Sequence, residues 1–322
     1  LSPARRVPGT TKRSSTTRSR RPSAAPDAFD RAPLAARRTA IDRHLERMVS
    51  PAFESAPKLG AAMRYALLSP GKRLRPLLTL ASCEAVGGSW KRAMPAAAAI
   101  ECVHAFSLVH DDLPAMDDDD FRRGRPTTHR KFGEALGVLA GDALLALAFE
   151  ELTRLRRNGV AAARVLWCVD CLARASGANE LVGGQALDIE SEGRKVTTAR
   201  VAAIDLHKTG ALIGASLALG AIAGGMPAGR VPAIEGVGRF LGFAFQMQDD
   251  LLNARSSLRR LGKRAGTDRA RGKATILSLL SEEQTRAKLA LAFDLVRDDV
   301  RRRFRRPDPV LRVVNAVADR SR

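Results

Sequence analysis

The sequence predicts an all-α fold, a single large helical bundle, and three observations carry that expectation. From residue 34 onward apolar residues recur at helical spacing, Ala and Leu dominate, and strand-like β-branched alternation is rare. Short Gly, Pro or Asn punctuation divides the stretches, as at Ser69-Pro70-Gly71, Gly87-Gly88 and Asn158-Gly159. No G-x-G-x-x-G turn or strand run suggests a Rossmann sheet. With 322 residues, 45% of them apolar, the chain is long enough to bury a sizeable core.

Residues 1–33 read as a disordered basic tail and 34–322 as one domain. Residues 1–26 are rich in Ser, Thr, Arg and Pro, carry seven Lys/Arg and no acid, and lack the apolar core of a secretory signal. Helical patterns then run over 34–49, 57–69, 73–87, 93–111, 134–155, 160–178, 199–223, 231–252, 273–280 and 282–305. Residues 210–229 hold no charge. Their helical part, 210–224, would be roughly 22 Å long, short of a hydrocarbon core of roughly 30 Å. A buried central helix is expected there, and no transmembrane span.

Formal charge is +20, of which +13 remains once residues 1–26 are set aside. Much of that lies in 255–273 and Arg301–Arg306. A diffuse Arg excess favours solubility and weak affinity for polyanions. With 4% aromatics, one Tyr and no nucleic-acid-binding motif, no specific nucleic-acid partner is expected. Four cysteines do not make a disulfide scaffold in a chain this long. Cys168 and Cys171 lack the second ligand pair of a zinc site, so they read as buried thiols in a reducing cytoplasm.

Against this basic background residues 111–120 hold six aspartates. The run His110-Asp111-Asp112-Leu113-Pro114-Ala115-Met116-Asp117-Asp118-Asp119-Asp120-Phe121-Arg122-Arg123-Gly124 continues an apolar helix and closes on two arginines. Carboxylates about 4 Å apart repel by up to a few kcal/mol per pair, a crowding tolerable around a cation. An all-oxygen set selects a hard cation, and Mg²⁺ usually binds through one or two carboxylates plus substrate phosphates. Asp117 falls about 120° from Asp111 on an ideal wheel, so the helix should break near Pro114 and fold Asp117 back. His104 shares the Asp111 face two turns below. A second cluster, Gln246-Met247-Gln248-Asp249-Asp250-Leu251-Leu252-Asn253, can present an oxygen-rich face from one helix.

Cations complete the constellation. Gly71-Lys72-Arg73-Leu74-Arg75-Pro76 sits at a loop-to-helix junction, where backbone N–H groups and positive charge suit phosphate. Lys208-Thr209 starts the uncharged helix. Two Asp-rich helices with several cationic stations describe a site for two diphosphates, one bridged to carboxylates by Mg²⁺ and one held by cations directly.

At these residues the chain resembles the trans-isoprenyl diphosphate synthases, the polyprenyl synthetase family, and most closely the bacterial farnesyl diphosphate synthases. Gly71–Pro76, the DDxxxxD form of the first motif, Gly183-Gly184-Gln185-Ala186-Leu187-Asp188, His207-Lys208-Thr209-Gly210, Phe245 to Asp250 and Leu261-Gly262-Lys263 carry the likeness, from about residue 35 to the C-terminus. The resemblance implies the all-α isoprenoid synthase fold with a central cavity, a homodimer and about three Mg²⁺ ions. It also implies head-to-tail (1'-4) condensation of isopentenyl diphosphate with an allylic diphosphate. The allylic substrate ionises, the alkene attacks the cation, and the departing diphosphate takes the proton.

By the same resemblance Asp111, Asp112 and Asp117 match metal ligands of the first motif, and Asp249 and Asp250 those of the second. Lys72, Arg75, His104 and Arg123 match the isopentenyl diphosphate site, with weaker support for Arg73. Arg122, Lys208, Thr209, Gln246 and Lys263 match contacts to the allylic diphosphate and its reacting end. Phe106, five residues before Asp111, matches a floor that limits chain length, and the two-residue expansion of the first motif points the same way, to the C15 product over C20.

Two departures stand out. Position 253 is Asn where the family has Asp, which keeps an oxygen ligand and loses a charge. The stretch Ala254–Arg260 is more basic than usual and lacks the family's Gly-Asp. A terpene cyclase also ionises allylic diphosphates, but it needs no second-substrate site, so Lys72, Arg75 and His104 argue against one.

Overall fold

The order of apolar and punctuating residues becomes a layered bundle around two central helices. The computed structural model describes residues 27–50, 53, 55–260 (backbone alone from 254) and 280–319. The helices are α1 (Leu34–Met48), α2 (Pro57–Leu67), α3 (Leu74–Ala85), α4 (Met94–Asp111), α5 (Thr128–Phe132), α6 (Glu134–Thr153), α7 (Ala162–Ser176), α8 (Leu181–Ser191), α9 (Thr198–Ile204), α10 (Ala211–Gly224), α11 (Val231–Arg260), α12 (Glu282–Arg303) and α13 (Asp308–Ala318). A single two-stranded hairpin, Phe121–Arg122 paired with Arg125–Pro126, accompanies them among the described residues.

Local chemistry explains several boundaries. Proline in the first turn opens α2 and α4, where a missing N–H costs no helical bond. Ser281 and Gln284 form a reciprocal capping box at the start of α12. Both α4 and α10 are apolar on all sides, and residues 93–103 and 211–223 are buried without exception. They are therefore the centre of the bundle: α3 packs on both, α6 covers α4, and α11 covers α10. The helices Trp90–Asp111 and Thr198–Gly224 are long and apolar enough to cross a membrane, but 78% of an 18-residue apolar window in each is buried inside the protein. The uncharged run is a core helix, as its length predicts.

Three helices lie outside every expected stretch, and the stretch 199–223 divides into α9 and α10. In α8 two adjacent glycines mask the propensity, and α5 spans little more than one turn. Helix α13 lies past the last pattern, with Pro307 just before it and Pro309 in its first turn. The expected stretch 273–280 lies outside the described residues except at Leu280. Packing starts ahead of α1, within the segment read as tail. Phe29 is 1% exposed, and a ring of that size gains about 1.5–3 kcal/mol by burial. All four thiols are buried and unbridged, and burial pushes Cys83 and Cys171 up to about 12.

Candidate active site

Helix α4 ends at Asp111, and the loop beyond Pro114 turns back on it. The Asp117 N–H donates to the Asp111 carbonyl at 2.8 Å, and the Asp119 N–H to the Asp112 carbonyl at 3.2 Å. The helix breaks where the sequence places the break, and Asp117 is returned to the end of α4. Asp112 is buried and accepts from Arg122 Nε at 2.6 Å. Burial pushes its carboxyl up to about 6 against the pull of that guanidinium.

The hairpin after the motif carries the arginine pair and was not foreseen. Arg123 and Gly124 both adopt left-handed backbone, which closes the two-residue turn. Tyr65 of α2 anchors the hairpin by donating its hydroxyl to the Pro126 carbonyl at 2.8 Å. Arg123 reaches back across Gly71 and donates to the Pro70 carbonyl at 2.6 Å, which brings the Gly71–Pro76 junction and the hairpin together.

At that junction the cations divide into two kinds. Arg73 is buried and bonds Glu101 at 2.6 Å and Asp42 at 2.8 Å, an internal ion pair with no charge to spare. Lys72 pairs with Asp27 at 2.5 Å and lies 5.0 Å above the Phe29 ring, so it is not gathered with the others. Arg75 differs. It contacts His104 Nε2 at 3.4 Å, its Nε atom is buried without a partner, and no carboxylate lies within ion-pair distance among the described residues. Burial pushes Arg75 down to about 10, while the more distant Glu101 and Asp249 pull it up. Burial and the surrounding arginines hold the His104 imidazole well below its usual range, hence neutral. A partly buried guanidinium without a carboxylate partner is costly unless an anion arrives.

On the opposite side, residues Asp205–Gly210 between α9 and α10 form a π-helical turn, a wider coil often found at functional sites. It carries His207, Lys208 and Thr209. Gly184 of α8 makes room, since a Cβ there would lie 2.3 Å from the Lys208 nitrogen. Gly242 of α11 closes from the other side, 2.5 Å from its would-be Cβ to Gly210 Cα. His207 bonds Glu180 at 3.0 Å, and Arg239 of α11 clamps the same carboxylate with two bonds. Lys208 Nζ donates to Asp188 at 2.7 Å, and the Thr209 hydroxyl to Gln246 Oε1 at 3.2 Å. Gln246 in turn donates to Asp250 at 3.1 Å, the neighbour one helical turn on. Asp205, not singled out from the sequence, is buried against Asp188 and Asp250, and burial with those like charges pushes it up to about 8.

Between these walls lies a cavity of about 370 Å³. Arg75, His104 and Asp111 line one side, Lys208 and Thr209 the other, and Phe106 lies among the apolar residues. Phe106 therefore faces the cavity, which its wheel position alone did not establish, and packs edge-on against His110 with centroids 5.0 Å apart. Asn253 is exposed on α11, past the Asp pair. Lys263 lies outside the described residues.

The polyprenyl synthetase family profile matches residues 56–305. This chain belongs to the polyprenyl synthetase family. It is 46% identical over 259 residues to the farnesyl diphosphate synthase of Escherichia coli, across 80% of this chain and 85% of that protein. It is also 46% identical over 232 residues to the heterodimeric geranylgeranyl pyrophosphate synthase large subunit 2 of Arabidopsis thaliana, across 71% of this chain and 61% of that protein. Among solved structures, an FPP/GFPP synthase from Zymomonas mobilis superposes with a TM-score of 0.75 at 36% identity, over 86% of this chain and 94% of that one. The all-α fold is thus that of the isoprenyl synthases, and relatives named for different product lengths stand side by side.

The donor set of this polyprenyl synthetase family member fits Mg²⁺ in one particular way. All the motif donors are oxygens, the choice of a hard cation. Among the described residues no three His, Cys, Asp or Glu side chains converge as a metal cage. In this geometry an ion would be held by at most two carboxylates at a time, drawn from Asp111, Asp112 and Asp117 or from Asp249 and Asp250, and completed by substrate oxygens.

Proposed function

We propose that the chain condenses isopentenyl diphosphate with dimethylallyl or geranyl diphosphate, in the 1'-4 sense, and stops at the C15 product, farnesyl diphosphate. The observation that carries this reading is one cavity lined by Asp111, by Lys208 with Thr209, and by Arg75, which has no carboxylate partner among the described residues, beside neutral His104. Two anionic substrates need two cationic stations, and Arg75 and Lys208, which both line the cavity, support that reading. Lys208, Thr209, Gln246 and Arg122 serve the allylic diphosphate; Arg75, His104 and Arg123 serve isopentenyl diphosphate. When bound, Mg²⁺ supplies positive charge to the departing diphosphate.

The allylic C–O bond breaks, a C–C bond forms to the alkene, and a proton passes to the released diphosphate. Holding both substrates in one cleft supplies orientation. Apolar walls, including Phe106, Leu181 and Leu212, keep water from the cation. Phe106 supports C15, since its ring meets the growing chain early. The C20 product is the second reading, favoured by the plant geranylgeranyl relatives. A homodimer fits the adjoining helices α6 and α7, which expose Val138, Leu139, Leu166 and Trp167. Chromatography of products made from labelled isopentenyl diphosphate with each allylic acceptor tests the reaction and its length. Sedimentation equilibrium tests the dimer.

A further inference from the structure

At the opposite end of α4 from Asp111, about 27 Å away along the helix, lies a groove of about 890 Å³ that the catalytic reading does not use. Its apolar floor is Ala40, Trp90, Met94 and Pro95, and charged side chains of α1, Lys91 and the end of α6 with its following turn form the rim. The two carboxylates on that rim are already engaged. Glu46 is held by Arg64 at 2.8 Å, and Glu151, fully buried, by His44 and Arg154, each at 2.7 Å.

Four other cations face the same groove: Arg43, Arg47, Lys91 and Arg157. None has a carboxylate within ion-pair distance among the described residues. Arg47 Nε turns to the Arg43 carbonyl, and the Lys91 ammonium lies 5.9 Å from the Trp90 ring centre. The groove thus holds a positive potential that its own acids do not cancel. Guanidinium forks match phosphate oxygens in pairs. Arg37 packs on the Trp90 ring at 4.3 Å, and the indole still forms part of the groove lining, where a flat ring can lie against it. The volume falls within the range of small-molecule sites.

We propose that this groove is a second ligand site, remote from the catalytic cavity, for an organic polyphosphate of the nucleotide kind, in which a flat aromatic body packs near Trp90 and the phosphate chain lies among Arg43, Arg47, Lys91 and Arg157. An inorganic phosphate chain would satisfy the cations and leave the apolar floor uncovered.

The test uses the full chain carrying Trp167→Phe, so that Trp90 is the one remaining tryptophan. ATP is titrated in chelator, which keeps metal-bridged binding at the Asp motifs out of the signal. A saturable change in Trp90 fluorescence is expected, weakened about tenfold or more by Arg43→Ser with Arg157→Ser and unchanged by Lys208→Ala. Inorganic triphosphate should bind more weakly than ATP. Prenyl transfer by the Arg43→Ser, Arg157→Ser protein should persist at the wild-type rate, which shows that it is folded. No saturable response, or an affinity that survives both serines, would overturn the site. Loss of the response in Lys208→Ala would assign it to the catalytic cavity and overturn the site equally. Equal affinity for ATP and inorganic triphosphate would overturn the nucleotide assignment.

Discussion

Removing the Phe106 ring probes chain length where the structure is most explicit. Phe106 lies five residues before Asp111, about 7.5 Å along the axis of α4, and lines the cavity proposed to receive the growing chain. It is 7% exposed, so most of the ring is packed, and it meets His110 edge-on. A Phe→Ala change in a core costs about 3–5 kcal/mol. Because part of the ring already borders the cavity, the lower end applies, about 3 kcal/mol, or a fall in Tm of about 6–12 °C. That leaves a folded enzyme with a deeper tunnel. Phe106→Ala should shift products from C15 toward C20 or longer, read by chromatography of labelled prenyl alcohols after dephosphorylation, with circular dichroism confirming the fold. A folded variant that still makes only C15 would refute the floor assignment.

Other consequences are equally direct. Asn253→Asp restores a carboxylate beside the Asp249–Asp250 pair and should lower the Mg²⁺ concentration needed for half-maximal rate; an unchanged dependence places Asn253 away from the metals. Glu101→Gln leaves the Arg73 guanidinium buried with Asp42 alone, and the urea midpoint should fall by the equivalent of about 3 kcal/mol. An unshifted midpoint would show that the ion pair does not hold α3 to α4. Asp205, raised from 3.8 to about 8 by burial and by Asp250 and Asp188, binds its proton more tightly in the folded state than in the unfolded one. Its folded form is therefore favoured below the ordinary carboxylate range and loses stability as pH rises toward 8. Asp205→Asn should raise the Tm of the metal-free protein at pH 8 more than at pH 5, and equal shifts at both would contradict the sign.

The helical fold was legible because burial and periodicity agree: stretches such as 93–111 and 231–252 show one pattern over many turns. The helix break at Pro114 was legible because proline and the angular position of Asp117 demand it. The hairpin at Phe121–Pro126 was not, since Arg123 in left-handed backbone carries no propensity signal; Gly124 after two arginines was the available hint. The π turn was hidden because its surroundings are tertiary: neighbouring helices close on it at Gly184 and Gly242. Arg73, Lys72 and Arg75 look alike in sequence. What separates them is tertiary: Glu101 and Asp42 neutralise the first, Asp27 pairs the second, and the third is half-buried beside a neutral histidine. Burial at a distance of many residues sets that difference, and no local spacing encodes it.

The central claim is that one cavity brings an allylic diphosphate and isopentenyl diphosphate together through the Asp motifs and the cations opposite them. Incubating the purified protein with labelled isopentenyl diphosphate and geranyl diphosphate measures it directly, with Mg²⁺ in one arm and chelator in the other. A C15 product with Mg²⁺ and none in chelator is the result expected. No elongation with Mg²⁺, or full turnover in chelator, would contradict the account of the site, and C20 as the main product would contradict its assignment of length.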